Sequence, residues 1–427
     1  MLKRVTTCLF FLAAQAAFAQ TGTNYDESKV KPYTLPAVLE TFSGETVRTK
    51  KEWEKKRRPE ILEAFRREVF GRVPDKRLPV RYEVISEDGQ ALGGKAVRKE
   101  IRACFSDSPS QCMAILIYLP KSPQPVPVFM GLNFEGNHTL YNDPGIELNP
   151  RWMRRTDVRG VVNHQATEAS RGTLYGRWQL EKLIDRGYGL VTVYQGDLEL
   201  DRKTRSGDEG IRSLFPSSGQ GDEWGSIALW SWGLSRVMDF LEKDPAIDKN
   251  RVALVGHSRL GKTALWAGAQ DQRFAMVISN NSGEGGASLA RRNYGETIAD
   301  LNRAVSYWFC PNYKKYSEDP SLLPVDSHLL ISLLAPRAVY VASATADQWA
   351  DPRGEYVGAS LAAPAYRLYG LKGLDDKEMP QPETPVSSLA VGYHLRTGEH
   401  DINAYDWDNY LNFADRYYQA ARLSKRK

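Results

Sequence analysis

The narrowest choice of folds follows from residues 251–269, RVALVGHSRLGKTALWAGA. Val252 to Val255 form a short apolar run bounded by Gly256, the pattern of a buried strand. Gly261 and an Ala-rich run of helical character follow. A strand that turns sharply into a helix lifts the turn residue and exposes its side chain. It also points the helix's unpaired backbone N–H groups at whatever lies in front. That geometry suits a serine nucleophile at Ser258. The same letters, Gly256 to Thr263, also fit G-x-x-x-x-G-K-[ST], a loop that cradles phosphates. The strict G-x-S-x-G pattern is missed by one place, because Leu260 stands at its second glycine. Spacing alone does not separate the two chemistries, so the rest of the chain has to.

The beginning of the chain bears on the choice. Lys3 and Arg4 precede an apolar run over 5–18, and Ala17-Phe18-Ala19 is an A-x-A cleavage signal. Residues 1–19 therefore read as a signal peptide. The mature chain is expected to be exported, periplasmic or extracellular, with no membrane span and as a monomer. An exported protein meets little ATP, which weighs against the nucleotide reading. The formal charge of +5 falls to +3 without Lys3 and Arg4, too little to argue for nucleic acid or an anionic membrane. Cys104 and Cys112 flank a turn between two strand-like runs. They are either a disulfide of an oxidising compartment or two reduced thiols, and Cys310 reads as a packed core thiol.

After an extended lead-in over 20–50, residues 51–427 read as a single catalytic domain. The basic cluster from Lys50 to Arg58 reads as the solvated face of a helix, and 53–70 as a surface helix. Strand-like runs at 81–85, 96–105 and 113–119 predict an antiparallel flank. Further strands at 126–134, 189–194, 252–255, 275–279, 338–342 and 391–395 alternate with helices, the longest at 224–243 and 405–423. That alternation predicts an α/β fold, a mostly parallel sheet with helices on both faces. The loop over 201–222 is large enough to be functional.

A serine becomes a useful nucleophile only when a base takes its proton and an acid orients that base. In an α/β-hydrolase these stand in the order nucleophile, acid, base, each at the carboxyl end of a strand. Ser258, Asp347 and His400 have that order and those places. Each has a plainer alternative: Ser258 and Asp347 as helix caps, His400 as a partner of neighbouring carboxylates. Asp351 rivals Asp347 in the same loop. His138 and His164 precede the serine, His257 adjoins it, His328 starts a helix and His394 lies inside a strand, so none fits as well as His400.

Residues 256–262, GHSRLGK, resemble the G-x-S-R-x-G-K motif of the glucuronoyl esterases, carbohydrate esterase family 15. Residues 132–138 (LNFEGNH), 230–236 (WSWGLSR), 349–352 (WADP) and 398–401 (GEHD) are similar too. The resemblance implies the α/β-hydrolase fold, no metal and no cofactor. It also implies an exported esterase cleaving glucuronate esters that link xylan to lignin alcohols. Many members carry the acid as a Glu after the strand that follows the nucleophile. Asn281 occupies that place here, so the acid is expected at Asp347, as in other members, with Glu284 in reserve. Arg259 is expected to stabilise the oxyanion through its backbone N–H and guanidinium. Lys262, Glu296 and Trp349 are expected to hold the uronate. An acetyl-xylan esterase on the same scaffold and a non-catalytic glycan-binding protein remain the other readings.

Overall fold

The computed structural model describes residues 22–203, 210–374 and 378–424; the expected signal peptide lies outside them. Among the described residues ten strands form one sheet. They are β1 (Arg81–Ala91), β2 (Ala96–Cys104), β3 (Cys112–Pro120), β4 (Val126–Asn133), β5 (Gly189–Tyr194), β6 (Ile247–His257), β7 (Met276–Asn280), β8 (Ala338–Ala344), β9 (Val386–Ser387) and β10 (Val391–Arg396). Their spatial order is β1-β2-β3-β5-β4-β6-β7-β8-β10-β9. β5, β4, β6, β7, β8 and β10 run parallel. β2 is antiparallel to both β1 and β3, and β3 is antiparallel to β5. The antiparallel flank and the parallel centre are thus both where the strand patterns put them.

Apart from residues 248–251 at the start of β6, the parallel strands are buried because helices cover both faces. Alternate residues feed two separate cores, as a pleated strand requires. Val252 and Leu254 of β6 join Trp266, Ile227 and Trp230 on one face. Ala253 and Val255 join Trp407, Tyr410 and Leu183 on the other. Helices α1 (Ser226–Leu241) and α2 (Arg259–Gln270) supply the first core, and α4 (Ala404–Ser424) the second; α3 (Pro352–Leu361) follows β8. The outer strand β1 is mostly exposed and carries Arg81, Glu83, Glu87 and Asp88, charges that discourage pairing with another chain.

Residues 50–70 are helical, with Trp53, Ile61, Phe65 and Phe70 buried on one side and Glu54, Lys55, Lys56 and Arg67 exposed on the other, as a surface helix requires. The basic cluster needs correcting, because it is not all solvated. Its lysines are exposed, whereas Arg57 and Arg58 are buried. Arg57 donates to the carbonyls of Val38 and Ala37 at 3.1 and 2.9 Å, and Arg58 to those of Leu333 and Ala269 at 3.3 and 2.7 Å. A buried guanidinium is tolerable only with such partners. Cys104 and Cys112 face each other across β2 and β3 and form a disulfide, and Cys310 is a buried free thiol.

Candidate functional site

Ser258 stands between β6 and α2 with φ 58° and ψ −134°, a conformation costly for a residue with a side chain. Its N–H donates to the Asn280 carbonyl at 2.9 Å, and its own carbonyl accepts from the Gly261 N–H at 2.8 Å. Gly256 makes the turn possible: a Cβ there would lie 2.0 Å from the Leu260 carbonyl oxygen. Leu260 itself points into the core and is buried, so this turn has no need of a second glycine at that place. The phosphate-cradling alternative fails on Lys262. Its Nζ is engaged by Glu296 Oε2 at 2.7 Å and by the Glu284 carbonyl, rather than arching over the turn.

The carboxyl ends of β6, β7, β8 and β10 lie side by side. Ser258 follows β6, Asp347 the end of β8, and His400 the end of β10. The two later loops are stitched together, Thr345 and Ala346 N–H donating to the carbonyls of Arg396 and Gly398 at 2.9 and 2.8 Å. His400 Nδ1 lies 2.6 Å from Asp347 Oδ2, and Asn281 Nδ2 reaches that same oxygen at 2.6 Å. The Asp347 side chain is 3% exposed and that of His400 41%. A carboxylate that takes Nδ1–H leaves Nε2 as the basic nitrogen.

One cleft of about 540 Å³ is lined by Ser258, His400, Asp347, Arg259, Lys262, Glu296 and Trp349 together. Lys262, Glu296 and Trp349 form a chain, Trp349 Nε1 donating to Glu296 Oε1 at 3.1 Å. Arg259 opens α2, so its N–H has no partner within the helix. Its guanidinium lies over the Phe134 ring, 4.5 Å from the centroid, and pairs with Asp201 at 2.9 Å.

The rivals fall into other roles. Asp351 caps α3 through the Gly354 N–H and pairs with Arg292 at 2.8 Å. Glu284 is buried away from the cleft and accepts from the Tyr313 hydroxyl at 2.6 Å. Burial pushes its carboxyl up to about 8. His394 pairs with Asp406 at 2.8 Å inside the second core, and His257 with Asn280 at 2.6 Å. His138 faces Ser170, and burial pulls it down to about 4. His328 and His164 bond to backbone carbonyls.

The sequence reading missed Phe134, Arg154, Arg155, Arg177 and Trp308, which also line the cleft. Arg154 and Arg155 sit in a loop without periodicity, where residue type alone signals nothing. Phe134 ends the apolar run over 126–134, where an aromatic residue reads as part of a buried strand.

A family model described as "Glucuronyl esterase, fungi" matches residues 175–370. Carbohydrate esterase MZ0003, from an unknown prokaryotic organism, is 46% identical over 408 residues, 93% of this chain and 92% of its own. A promiscuous CE15 esterase from a marine bacterial metagenome has a solved structure that superposes with a TM-score of 0.87, at 46% identity, covering 93% of this chain and 100% of that one. A glucuronoyl esterase from Solibacter usitatus gives 0.86 at 48% identity, covering 92% and 100%. Identity of this order over most of both chains, on the sheet described above, places the chain in the glucuronoyl esterases, carbohydrate esterase family 15, as a carboxylic ester hydrolase of the α/β-hydrolase fold.

Proposed function

We propose that this glucuronate ester hydrolase works through Ser258, His400 and Asp347. Its substrate is the ester that joins glucuronate on xylan to a lignin alcohol, met outside the cytoplasm. One observation carries the reading: the 2.6 Å contact between His400 Nδ1 and Asp347 Oδ2, at the cleft that Ser258 also lines. Ser258 Oγ attacks the C6 carbonyl carbon as His400 Nε2 takes its proton. The negative charge that forms on the carbonyl oxygen is met by the Arg259 backbone N–H and guanidinium. Collapse breaks the bond to the alcohol oxygen, which leaves with the proton held by His400. Water, deprotonated by the same imidazole, then attacks the acyl-enzyme and releases glucuronate and Ser258.

The Lys262–Glu296–Trp349 chain supplies donors, acceptors and an apolar face on the sugar side. The leader pattern and the Cys104–Cys112 disulfide support an oxidising, extracytoplasmic location. Hydrolysis of benzyl glucuronate by the wild type and by Ser258→Ala tests the reading. Activity of the variant above about one hundredth of wild type overturns it, since removing a triad nucleophile costs about 10⁶ in kcat. Faster turnover of acetylated xylan would move the substrate class and leave the triad in place.

A further inference from the structure

The steps above leave Asp201 unused, yet it is 3% exposed, and its carboxylate accepts from three donors and forms an ion pair with Arg259. Oδ1 accepts from the Tyr307 hydroxyl at 2.7 Å and from Trp308 Nε1 at 2.8 Å. Oδ2 accepts from Arg154 Nη1 at 2.8 Å and lies 2.9 Å from Arg259 Nη2. The Arg259 guanidinium is also held between two rings, 4.5 Å from the Phe134 centroid and 5.6 Å from that of Trp308. We propose that Asp201 is the positioning residue for Arg259, and that Arg154 is the compensating charge that allows a carboxylate to do this work. The inference rests on the esterase reading, in which Arg259 faces the oxyanion.

A carboxylate that grips a guanidinium fixes its direction but cancels its charge. A lone Arg259–Asp201 pair would be neutral as seen from the reacting carbonyl and would do little for an oxyanion. With Arg154 on the same oxygen the trio carries two positive charges and one negative. The net positive charge survives, and the guanidinium cannot swing away. Trp308 serves twice, its ring as a wall for Arg259 and its N–H as a tether for Asp201. Arg154, Arg259 and Trp308 line the cleft, whereas Asp201 stands behind them, so it acts through Arg259.

A double-mutant cycle on methyl glucuronate tests this. Asp201→Asn should lower kcat about 10- to 100-fold with KM within about twofold. In an Arg259→Met background the same change should alter kcat less than about threefold. Additive losses, or wild-type kcat in Asp201→Asn, overturn the inference. If Asp201→Asn fails to fold, Trp308→Phe keeps a smaller aromatic wall and removes the tether. It should lose about 3- to 10-fold in kcat and be silent beside Arg259→Met; additivity there overturns the inference equally. Arg154→Lys should keep most of the kcat that Arg154→Met loses, and equal losses remove the charge role. Ser258→Ala runs alongside. If it is dead, additivity in the cycle overturns only the role of Asp201; if it is active, the esterase reading itself fails.

Discussion

Asp347 Oδ2 and His400 Nδ1 are 2.6 Å apart, although 53 residues separate them in the chain. A buried carboxylate against a half-exposed imidazole fixes which nitrogen carries the proton. Asp347→Asn keeps the shape and replaces an acceptor by an amide, which favours the wrong tautomer. It should lower kcat by about 10³- to 10⁴-fold with KM little changed. Glu284→Gln is the control, because the Glu284 carboxyl serves the Tyr313 hydroxyl; its kcat should stay within about threefold. A larger loss in Glu284→Gln than in Asp347→Asn would move the acid to Glu284.

Asn281 stands where many relatives were expected to carry a glutamate, and its amide donates to Asp347 at 2.6 Å. Its backbone has φ 48°, which glycine adopts without cost. Asn281→Gly therefore removes the hydrogen bond without adding backbone strain. A bond to a charged acceptor is worth about 1.5–3 kcal/mol. kcat should fall about 10-fold or more, as the carboxylate loses a donor. Unchanged kcat in steady-state assays would make Asn281 a bystander.

What was legible in the chain was local. Buried strand runs and the Gly256 turn are written in neighbouring residues, so the order of Ser258, Asp347 and His400 along the sheet could be read. The choice of Asp347 over Asp351 turned on which carboxylate faces a loop 50 residues away, and order alone did not decide it. Arg57 and Arg58 were misread because both bond to backbone carbonyls from outside the helix, up to 275 residues distant for Arg58. Nothing in residue type announces such a partner. Asp201 was hidden for the same reason: its partners come from residues 154, 259, 307 and 308, which only the folded sheet brings together.

Trp349 joins Glu296 by its indole N–H and offers a ring to the cleft. Trp349→Phe keeps an aromatic face and deletes the donor. If the chain of Lys262, Glu296 and Trp349 holds the sugar, KM for methyl glucuronate should rise about 3- to 10-fold, the worth of about one hydrogen bond. Hydrolysis of 4-nitrophenyl acetate, which has no sugar, should be unaffected. Equal effects on both esters would assign Trp349 to the wall alone.

The Cys104–Cys112 bridge closes a loop of eight residues between β2 and β3. Constraining so short a loop in the unfolded chain is worth about 2–3 kcal/mol. Cys104→Ser with Cys112→Ser should therefore lower the unfolding free energy by that amount in urea titration. Activity should be unchanged, because neither residue lines the Ser258 cleft. A change in kcat without a loss of stability would place the bridge in the catalytic machinery.

Glu355 gives a test by pH. Its Oε1 accepts from the N–H groups of Ser282 and Gly283 at 2.6 and 3.1 Å, and its Oε2 from the Ser343 hydroxyl at 2.6 Å. Complete burial, aided by the charge of Asp347, overrides those bonds and pushes the carboxyl from 4.5 to about 8. Between these values the unfolded chain releases the proton and the folded chain keeps it. The folded state then binds more protons, so this group's contribution to stability falls as pH rises from about 4.5 to 8 and levels off above. The slope is at most about 1.4 kcal/mol per pH unit. Glu355→Gln mimics the protonated carboxyl at every pH and lacks the slope. Its Tm relative to wild type should climb between pH 5 and pH 8 in calorimetry. A Tm difference that stays constant across that range would mean that Glu355 is ionised in the fold at both ends.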